Sequence, residues 1–291
     1  MHHAFHALVD YAGLFPPASC SMAEAVSRYA SYREGPDQAM LGRFVVAALR
    51  LEELGEEVVR AGLLAPRHPW ELAVVFGAHH PDDLARIDRF GVRHPEGFVI
   101  RAVELKVAAP GEVAVVAGRL DSRWEQYLEV PHQLQYGELI RAIAEVGAGA
   151  KIRTGGTVPE AFPSPRVLTR FLMAVTRHGV PWKATAGLHH PWRGSYPLTY
   201  APDSERHDMH GYLNVLLAAA LLRGGAEGEV AEAVLVESDP RAFVHDGDAI
   251  RWNGMRITLD DLAAARVDGF RGFGSCSFRE PVDELTLGAT A

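Results

Sequence analysis

Eight short apolar runs, each followed by a turn signal and a helical pattern, constrain the fold of this chain more than any other feature. The runs occupy residues 6–13, 42–50, 71–78, 98–107, 125–131, 149–156, 182–188 and 270–278. Strands that alternate with helices are typical of a parallel sheet, and eight such units are typical of a (β/α)8 barrel. We therefore predict an α/β fold, a TIM barrel that forms a single domain over residues 1–291.

The segments between the runs carry the start and stop signals of helices. Ser21 followed by Glu24 forms a capping box, and Ser164 followed by Pro165 begins a helix that Gly179 ends. An open doubly wound sheet is the alternative architecture. No GxGxxG motif follows the first run, which argues against the dinucleotide-binding form of that sheet.

Two segments fall outside the repeating pattern. Residues 189–209, after the seventh run, are rich in Pro, Tyr, His and Arg, and loops of this length are often lids or binding loops. Residues 242–258 contain an Asp-Gly and an Asn-Gly turn signal between short strands. We interpret 242–258 as a small β-meander inserted before the eighth strand, with a covering or oligomer-contact role rather than a catalytic one.

Composition excludes several classes of function. The net charge of −8 over 291 residues predicts no nucleic-acid surface, and no apolar run is long enough to span a membrane. The N-terminal segment lacks a signal-peptide pattern, and the two cysteines, Cys20 and Cys276, form no CxxC pair. We expect a cytoplasmic protein whose partner is a small molecule, with no nucleic-acid or membrane partner; homo-oligomers are compatible with the sequence.

Charged residues interrupt the sixth and seventh apolar runs, and side-chain alternation decides where they point. Side chains of a strand alternate between the barrel interior and the helix layer. Because the apolar residues of the sixth run suit the helix layer, Lys151 and Arg153 point inward. The same parity turns Lys183 and Thr185 inward in the seventh run. Such barrels carry their chemistry at the C-terminal ends of the strands, so we expect both lysines near that end.

Acidic residues of other runs join this cluster. The fourth run offers Glu104 to the interior, the fifth run offers Glu129, and Asp10 ends the first run as an additional acid. Unpaired buried charge is costly, so the cluster requires a purpose. One interpretation is a structural network of ion pairs.

The other interpretation is a reactive amine. A lysine beside another cation in a poorly solvated site loses proton affinity, and a fall of roughly 3 pKa units would supply a neutral amine near pH 7. Such an amine attacks a carbonyl carbon to form a Schiff base, while a neighbouring carboxylate moves the proton.

Several of these segments resemble the deoxyribose-phosphate aldolases. AKIRTGG at 150–156 and WKATAGL at 182–188 are similar to strands six and seven of that family, and three further segments resemble it in the same order: ALVDYAGLFPPAS at 7–19, QYLEVP at 126–131 and FGSCSF at 273–278. TAGLHHP and FGSCSF also resemble segments of a group of bacterial proteins, a likeness that implies no function.

The resemblance implies a class I aldolase-like lyase that acts on a small carbonyl compound, with or without a phosphate group. Lys151 would form the Schiff base, and Lys183 would lower its pKa. Glu129 or Glu104 would move protons. Arg153 stands where the family has a small polar residue.

Candidate substrate-binding residues surround these lysines. Glycine-rich turns at strand ends can present backbone N–H groups to an anion, and such barrels often bind phosphate near the ends of strands seven and eight. The alternative is that these glycines only permit tight turns. The substrate-binding candidates are Asp10, Arg153, Thr154, Gly155, Thr185, His189, His190, Gly274, Ser275 and Ser277.

Histidines follow the third and seventh runs, but their pattern does not predict a metal site. They are His79, His80, His189, His190, His207 and His210. A metal site needs three or four converging ligands, and the sequence has neither an HxH in the first run nor an HExxH. We therefore expect no metal and no cofactor, and assign one or two histidines to acid–base chemistry or substrate binding.

Three functions stay open on these grounds. The first is the Schiff-base lyase. The second is a metal-independent hydrolase or transferase in which the lysines and Arg153 only bind an anion. The third is a non-catalytic barrel that binds an anionic metabolite.

Overall fold

Eight parallel strands close into a barrel in the computed structural model, which describes residues 3–78 and 80–288. The barrel strands are β1 (Val9–Tyr11), β2 (Leu41–Ala47), β3 (Trp70–Val75), β4 (Phe98–Lys106), β5 (Glu125–Val130), β6 (Gly149–Arg153), β7 (Trp182–Thr185) and β13 (Phe270–Ser275). Strand β13 pairs with both β1 and β7 and so closes the ring. The predicted barrel is confirmed, and the open doubly wound alternative is wrong.

Helices follow the strands along the chain. They are α1 (Met22–Glu34), α2 (Leu51–Arg60), α3 (His80–Arg93), α4 (Pro110–Ala117), α5 (Gly137–Glu145), α6 (Pro165–His178), α7 (Tyr212–Arg223), α8 (Gly228–Val236), α9 (Leu259–Asp268) and α10 (Arg279–Gly288). The capping box of Ser21 and Glu24 begins α1. Ser164 caps α6, which ends at Gly179 in the left-handed conformation, φ 63°. None of the described helices is long and apolar enough to cross a membrane.

The main apolar core lies between the strands and the helices. Trp182 of β7 stacks on Phe270 of β13 with ring centroids 4.4 Å apart, and Ala150 and Ile152 of β6 are fully buried in the same core. The sequence predicts this outward orientation for Ala150, Ile152 and Trp182. The inward-facing positions of the strands are therefore free to carry polar groups.

Two further sheets decorate the barrel. The segment between β7 and α7 forms a hairpin of β8 (Gly194–Pro197) and β9 (Arg206–Met209). The predicted β-meander is confirmed as β10 (Val244–Asp246), β11 (Ala249–Trp252) and β12 (Met255–Thr258), which lie between α8 and α9. Trp252 of β11 is buried in the main core, so the meander extends the helix layer.

The loops after β6 and β7 meet at a close backbone contact. Gly187 has φ 76°, and a Cβ atom there would lie 2.7 Å from both the Cα of Gly155 and the carbonyl oxygen of Thr154. The Thr154 hydroxyl donates a hydrogen bond to the carbonyl oxygen of Ala186, 2.5 Å away. This contact fixes the ends of the two strands that carry the lysines.

Replacing Gly187 with alanine should lower the free energy of unfolding by about 2–6 kcal/mol, because left-handed strain and an overpacked contact each cost about 1–3 kcal/mol. Urea unfolding followed by circular dichroism measures the change. Gly111→Ala is the matched control, since a Cβ there meets open space in α4 and alanine favours a helix. Equal stability of the two variants would contradict the close-contact argument.

Candidate active site

A cavity of about 400 Å³ opens at the C-terminal end of the barrel, and we call it the C-terminal cavity. Phe15, Val45 and Phe76 are among its apolar lining residues. Its polar lining comes from strand ends and the loops that follow: Glu104, Lys106, Glu129, Lys151, Arg153, Thr157, Thr185, His189 and Cys276. A concave site with a few converging polar groups at this end of a barrel is the expected position of an active site.

The amine of Lys151 lies in this cavity between two carboxylates. Its Nζ is 2.8 Å from Glu104 Oε2 and 2.9 Å from Glu129 Oε2, and Lys151 is only 4% exposed. Strand register explains the second contact, because Glu129 of β5 pairs directly with Lys151 of β6. Side chains at paired positions of a sheet point to the same face.

Lys183 extends the same array of charges toward the other end of the barrel. It pairs in register with Lys151, and its Nζ lies 2.7 Å from Glu104 Oε1 and 2.5 Å from Asp10 Oδ2. Glu104 therefore holds both lysines, one with each carboxylate oxygen. We call Asp10, Glu104, Glu129, Lys151 and Lys183 the lysine–carboxylate network.

The network holds one more carboxylate than it holds ammonium groups. Arg153 supplies the third cation, with its Nε 3.7 Å from Glu129 Oε1 and its side chain 42% exposed. The six charges then sum to zero, which is the condition under which buried charge is tolerated.

This surplus of nearby carboxylates sets the protonation of the lysines. Burial alone disfavours the ammonium form of Lys151, but the charges of Glu104 and Glu129 outweigh burial and raise the pKa of Lys151. The pKa of Lys183 is raised for the same reason, by Asp10 and Glu104 against burial. The sequence predicts that Lys183 lowers the pKa of Lys151, but here the two carboxylates at 2.8 and 2.9 Å from the Lys151 amine raise that pKa instead.

The pKa values of the carboxylates shift in the opposite direction. Burial opposes ionisation of Glu104, yet Lys151 and Lys183 together hold its pKa well below the usual range. Burial likewise opposes ionisation of Glu129, but its pKa is lowered, chiefly by Lys151. Both lysines, Glu104 and Glu129 are thus charged at neutral pH.

The predicted site residues divide into three groups. The C-terminal cavity brings together Glu104, Glu129, Lys151, Arg153, Thr185, His189 and Gly274. Asp10 and Lys183 instead line a separate cavity at the N-terminal end of the barrel. The remaining candidates, Thr154, Gly155, His190, Ser275 and Ser277, make contacts within the fold.

In this last set of candidates, the polar side-chain atoms are used in contacts within the fold. Thr154 is fully buried. Ser275 Oγ accepts a hydrogen bond from the backbone N–H of Ser277, and Ser277 Oγ accepts one from the N–H of Glu280 at the start of α10. Gly274 lines the cavity near the end of β13, while the two hydroxyls stabilise the turn that follows. Ser275 Oγ also lies 3.5 Å from His189 Nδ1.

Two consecutive histidines each contact a glutamate of α10. His189 Nδ1 lies 2.8 Å from Glu280 Oε2, and His190 Nδ1 lies 2.8 Å from Glu284 Oε1. The ring of His190 also stacks on Tyr196 of β8 at 3.4 Å between centroids. Since a carboxylate at Nδ1 fixes the orientation of an imidazole, Glu280 orients His189 at the wall of the C-terminal cavity.

The other histidines do not converge on this point. His80 begins α3, with its ring 6.0 Å from that of Phe76, and the ring of His207 lies 4.9 Å from that of Phe162. His210 is buried, with its Nε2 2.8 Å from the carbonyl oxygen of Pro163. His79 lies outside the described residues. Across residues 3–78 and 80–288, no three His, Cys, Asp or Glu side chains are grouped so that they could hold a metal ion.

Sequence reasoning missed Glu280 and Tyr200. Tyr200 Oη lies 3.6 Å from the Cys276 sulfur at the cavity wall. Glu280 and His189 are 91 residues apart in sequence, so no local motif joins them. The one available signal is the spacing of Glu280 and Glu284, which places both carboxylates on one face of a helix.

No protein-family model matches this chain, and a search of curated proteins finds no match.

The variant Glu104→Gln should lower the pKa of both lysines, since one carboxylate charge is removed from each amine. Glu129→Gln should lower the pKa of Lys151 and leave that of Lys183 nearly unchanged, because Lys151 is the one lysine of the two that Glu129 contacts. Nuclear magnetic resonance titration of the lysine side chains measures both. A lysine pKa that is indifferent to Glu104→Gln would contradict the bridging role of Glu104.

Stability should also depend on pH through His210. Burial lowers the pKa of His210 to about 4, whereas an unfolded histidine has a pKa near 6.5. Between these values the unfolded chain takes up a proton that the folded chain refuses. The contribution is thus complete above pH 6.5 and is lost as pH falls toward 4, a loss of about 3 kcal/mol.

Urea unfolding of wild type and His210→Gln at neutral pH and near pH 4 measures this loss. The variant should have the shallower pH dependence. His245→Gln is the control, because His245 is exposed on β10 and its replacement should leave the slope unchanged. Identical slopes for wild type and His210→Gln would show that His210 titrates normally in the folded protein.

Proposed function

We propose that the protein is a class I aldolase-like lyase that acts on a small anionic carbonyl compound through a Schiff base on Lys151. The observation that carries this proposal is the position of the Lys151 amine, which lies between two carboxylates in the C-terminal cavity. We also propose a cytoplasmic location, which suits the two free cysteines.

The raised pKa of Lys151 is compatible with this chemistry when charge is followed through the reaction. An ammonium group and a carbonyl group combine to give an iminium ion and one water molecule, and the positive charge stays on the nitrogen. Glu104 and Glu129 already compensate a positive charge at that point. The network therefore favours the iminium ion by the same interactions that favour the ammonium ion.

Attack itself requires a transiently neutral amine. The ordinary pKa values of lysine and glutamate differ by about 6 units, so complete transfer of the proton to a carboxylate would cost about 8 kcal/mol or more. The proton need not stay there, because the carbonyl oxygen becomes a basic alkoxide as the C–N bond forms. Glu129, 2.9 Å from the amine, is placed to pass the proton to that oxygen.

The iminium ion then withdraws electrons from the adjacent carbon–carbon bond. A base removes the proton of the β-hydroxyl group, the bond breaks, and an aldehyde leaves while an enamine stays on Lys151. His189 lines the same cavity and is oriented by Glu280, which makes it the best candidate for this base. Protonation and hydrolysis of the enamine release the second product and the free lysine.

The charge of the cavity favours an anionic substrate. Its lining carries three basic groups, Lys106, Lys151 and Arg153, against the two carboxylates Glu104 and Glu129. Arg153 is partly exposed, and its planar guanidinium group is suited to a carboxylate or phosphate. The lining of the cavity therefore has a net charge of +1, which a negatively charged substrate would neutralise.

The raised lysine pKa values also favour a second candidate. In a metal-independent hydrolase or transferase, or in a barrel that only binds an anionic metabolite, the lysines would act as fixed positive charges. The covalent bond to Lys151 distinguishes the first candidate from this one.

Borohydride reduction in the presence of a panel of small aldehydes and ketones, with and without phosphate groups, tests the proposal. We expect a stable mass increase that maps to Lys151 by peptide mass spectrometry. The increase should disappear in Lys151→Ala, and trapping should slow by about a hundredfold or more in Glu129→Gln, since a positioned proton carrier contributes about that much.

Lys106→Ala is the matched control, because Lys106 lines the same cavity but is exposed on β4 and should retain the adduct with the uncharged carbonyl compounds of the panel. Trapping that persists in Lys151→Ala would assign the reactive amine elsewhere. The absence of an adduct with every carbonyl compound in the panel would favour the non-covalent candidate.

A further inference from the structure

A second cavity, of about 570 Å³, opens at the N-terminal end of the barrel, and we call it the N-terminal cavity. Lys183 and Asp10 of the lysine–carboxylate network belong to its lining, whereas Lys151 and Glu129 belong to the lining of the C-terminal cavity. The network thus lies between the two cavities. The N-terminal cavity is distinct from the candidate active site.

The three carboxylates that line the N-terminal cavity are each paired with a cation. Asp10 contacts Lys183 at 2.5 Å and also accepts the backbone N–H of Arg43 at 2.7 Å. Glu125 forms an ion pair with Arg43. Glu71 forms an ion pair with Arg101 at 2.7 Å. These pairs leave no free negative charge to repel an anion.

Two further guanidinium groups line the cavity without such compensation. Arg266 of α9 and Arg271 of β13 have no carboxylate within 4.0 Å among the residues described by the structure. Arg266 donates instead to backbone carbonyl oxygens, at 2.6–3.3 Å: those of Ala4, His6, Ala7, Phe270 and Arg271. Two positive charges are therefore uncompensated at this mouth of the barrel.

The electrostatic cost of this arrangement is visible at Arg266. Burial lowers the pKa of Arg266 to about 10; the charge of Asp10 opposes this shift, and the charge of Arg271 adds a smaller lowering effect. Carbonyl dipoles solvate the Arg266 guanidinium group but carry no net charge. A negatively charged ligand would relieve the repulsion between the two arginines.

The backbone of β13 is irregular at Arg271. The pairing of β13 with β7 shifts register between Phe270 and Gly272, and Gly272 has φ 150°. A Cβ atom at Gly272 would lie 2.6 Å from the carbonyl oxygen of Leu8, so a glycine is required there. Irregularities of this kind redirect side chains at barrel rims and binding sites, and this one sets the position of Arg271.

We propose that the N-terminal cavity binds a small phosphorylated metabolite, with Arg271 in direct contact with the phosphoryl group and Arg266 supplying a second, fixed positive charge. A phosphoryl group carries close to two negative charges at neutral pH, which matches the two uncompensated arginines. The planar fork of an arginine suits phosphate geometry. A volume of about 570 Å³ leaves space for an organic portion, since small-molecule sites span about 300–1,000 Å³.

Titration of the full chain with inorganic phosphate, followed by amide nuclear magnetic resonance, tests the proposal. Gly147 and Gly149 line the N-terminal cavity, and Gly156 lines the C-terminal cavity. We expect saturable shifts of the Gly147 and Gly149 amides at millimolar phosphate. Arg271→Ala should weaken this response by roughly tenfold or more, because a hydrogen-bonded charge pair is lost.

Three further variants make the result specific. Arg271→Lys keeps the charge without the planar fork and should give an intermediate affinity. Arg241→Ala removes an arginine whose side chain is 90% exposed outside both cavities and should bind phosphate as wild type does. Arg153→Ala should change only the response of Gly156, which separates this site from the proposed active site.

Shifts confined to Gly156, or shifts of Gly147 and Gly149 that survive Arg271→Ala, would overturn the proposal. A phosphomonoester such as glycerol phosphate should shift the same amides at least as readily as inorganic phosphate. Its exclusion would refute the part of the proposal that concerns an organic ligand. Failure of borohydride trapping at Lys151 would leave this site unaffected, because the trapping reaction does not involve Arg271.

Discussion

The barrel interior depends on one pair of interactions: the carboxylate of Glu104 forms an ion pair with a buried lysine through each of its oxygens. These ion pairs connect the inner faces of β4, β6 and β7. The ion pairs of Asp10 and Glu129 with the same lysines connect β1 and β5 to them. Buried ion pairs contribute little net stability when complete, but removing one partner typically costs 3–5 kcal/mol. A stable barrel interior therefore requires that the charges of these residues stay balanced.

Charge balance also determines what chemistry the site can stabilise. Carboxylates on both sides of Lys151 favour a positive charge at its nitrogen, whether as an ammonium ion or as an iminium ion. A site that instead lowered the lysine pKa would ease the initial attack but would stabilise the iminium ion less. In the proposed reaction, stabilising the iminium ion would therefore be easy and delivering the proton would be the harder step, which is the role proposed for Glu129.

Local patterns in the sequence predict the fold and the inward-facing residues of the site. The alternation of apolar runs and helices predicts the closed barrel, and the two-residue period of a strand predicts that Lys151, Arg153, Glu104 and Glu129 face inward. The cavity that each inward residue lines depends on barrel stagger and side-chain length, which the two-residue period does not encode. The sequence therefore does not reveal that Asp10 and Lys183 line the N-terminal cavity. The direction of the lysine pKa shifts depends on how many carboxylate oxygens lie within 3 Å, which follows from three strands at once.

Both cavities carry a local excess of positive charge in a chain whose net charge is −8. The excess arises differently at each end: at the C-terminal end from the extra basic groups Lys106 and Arg153, and at the N-terminal end from arginines whose hydrogen bonds go to backbone carbonyls. A surface that is negative overall repels anions, while positive clefts with low-dielectric walls focus the field and concentrate anions locally. Selectivity for anionic ligands can therefore reside in the two mouths of the barrel.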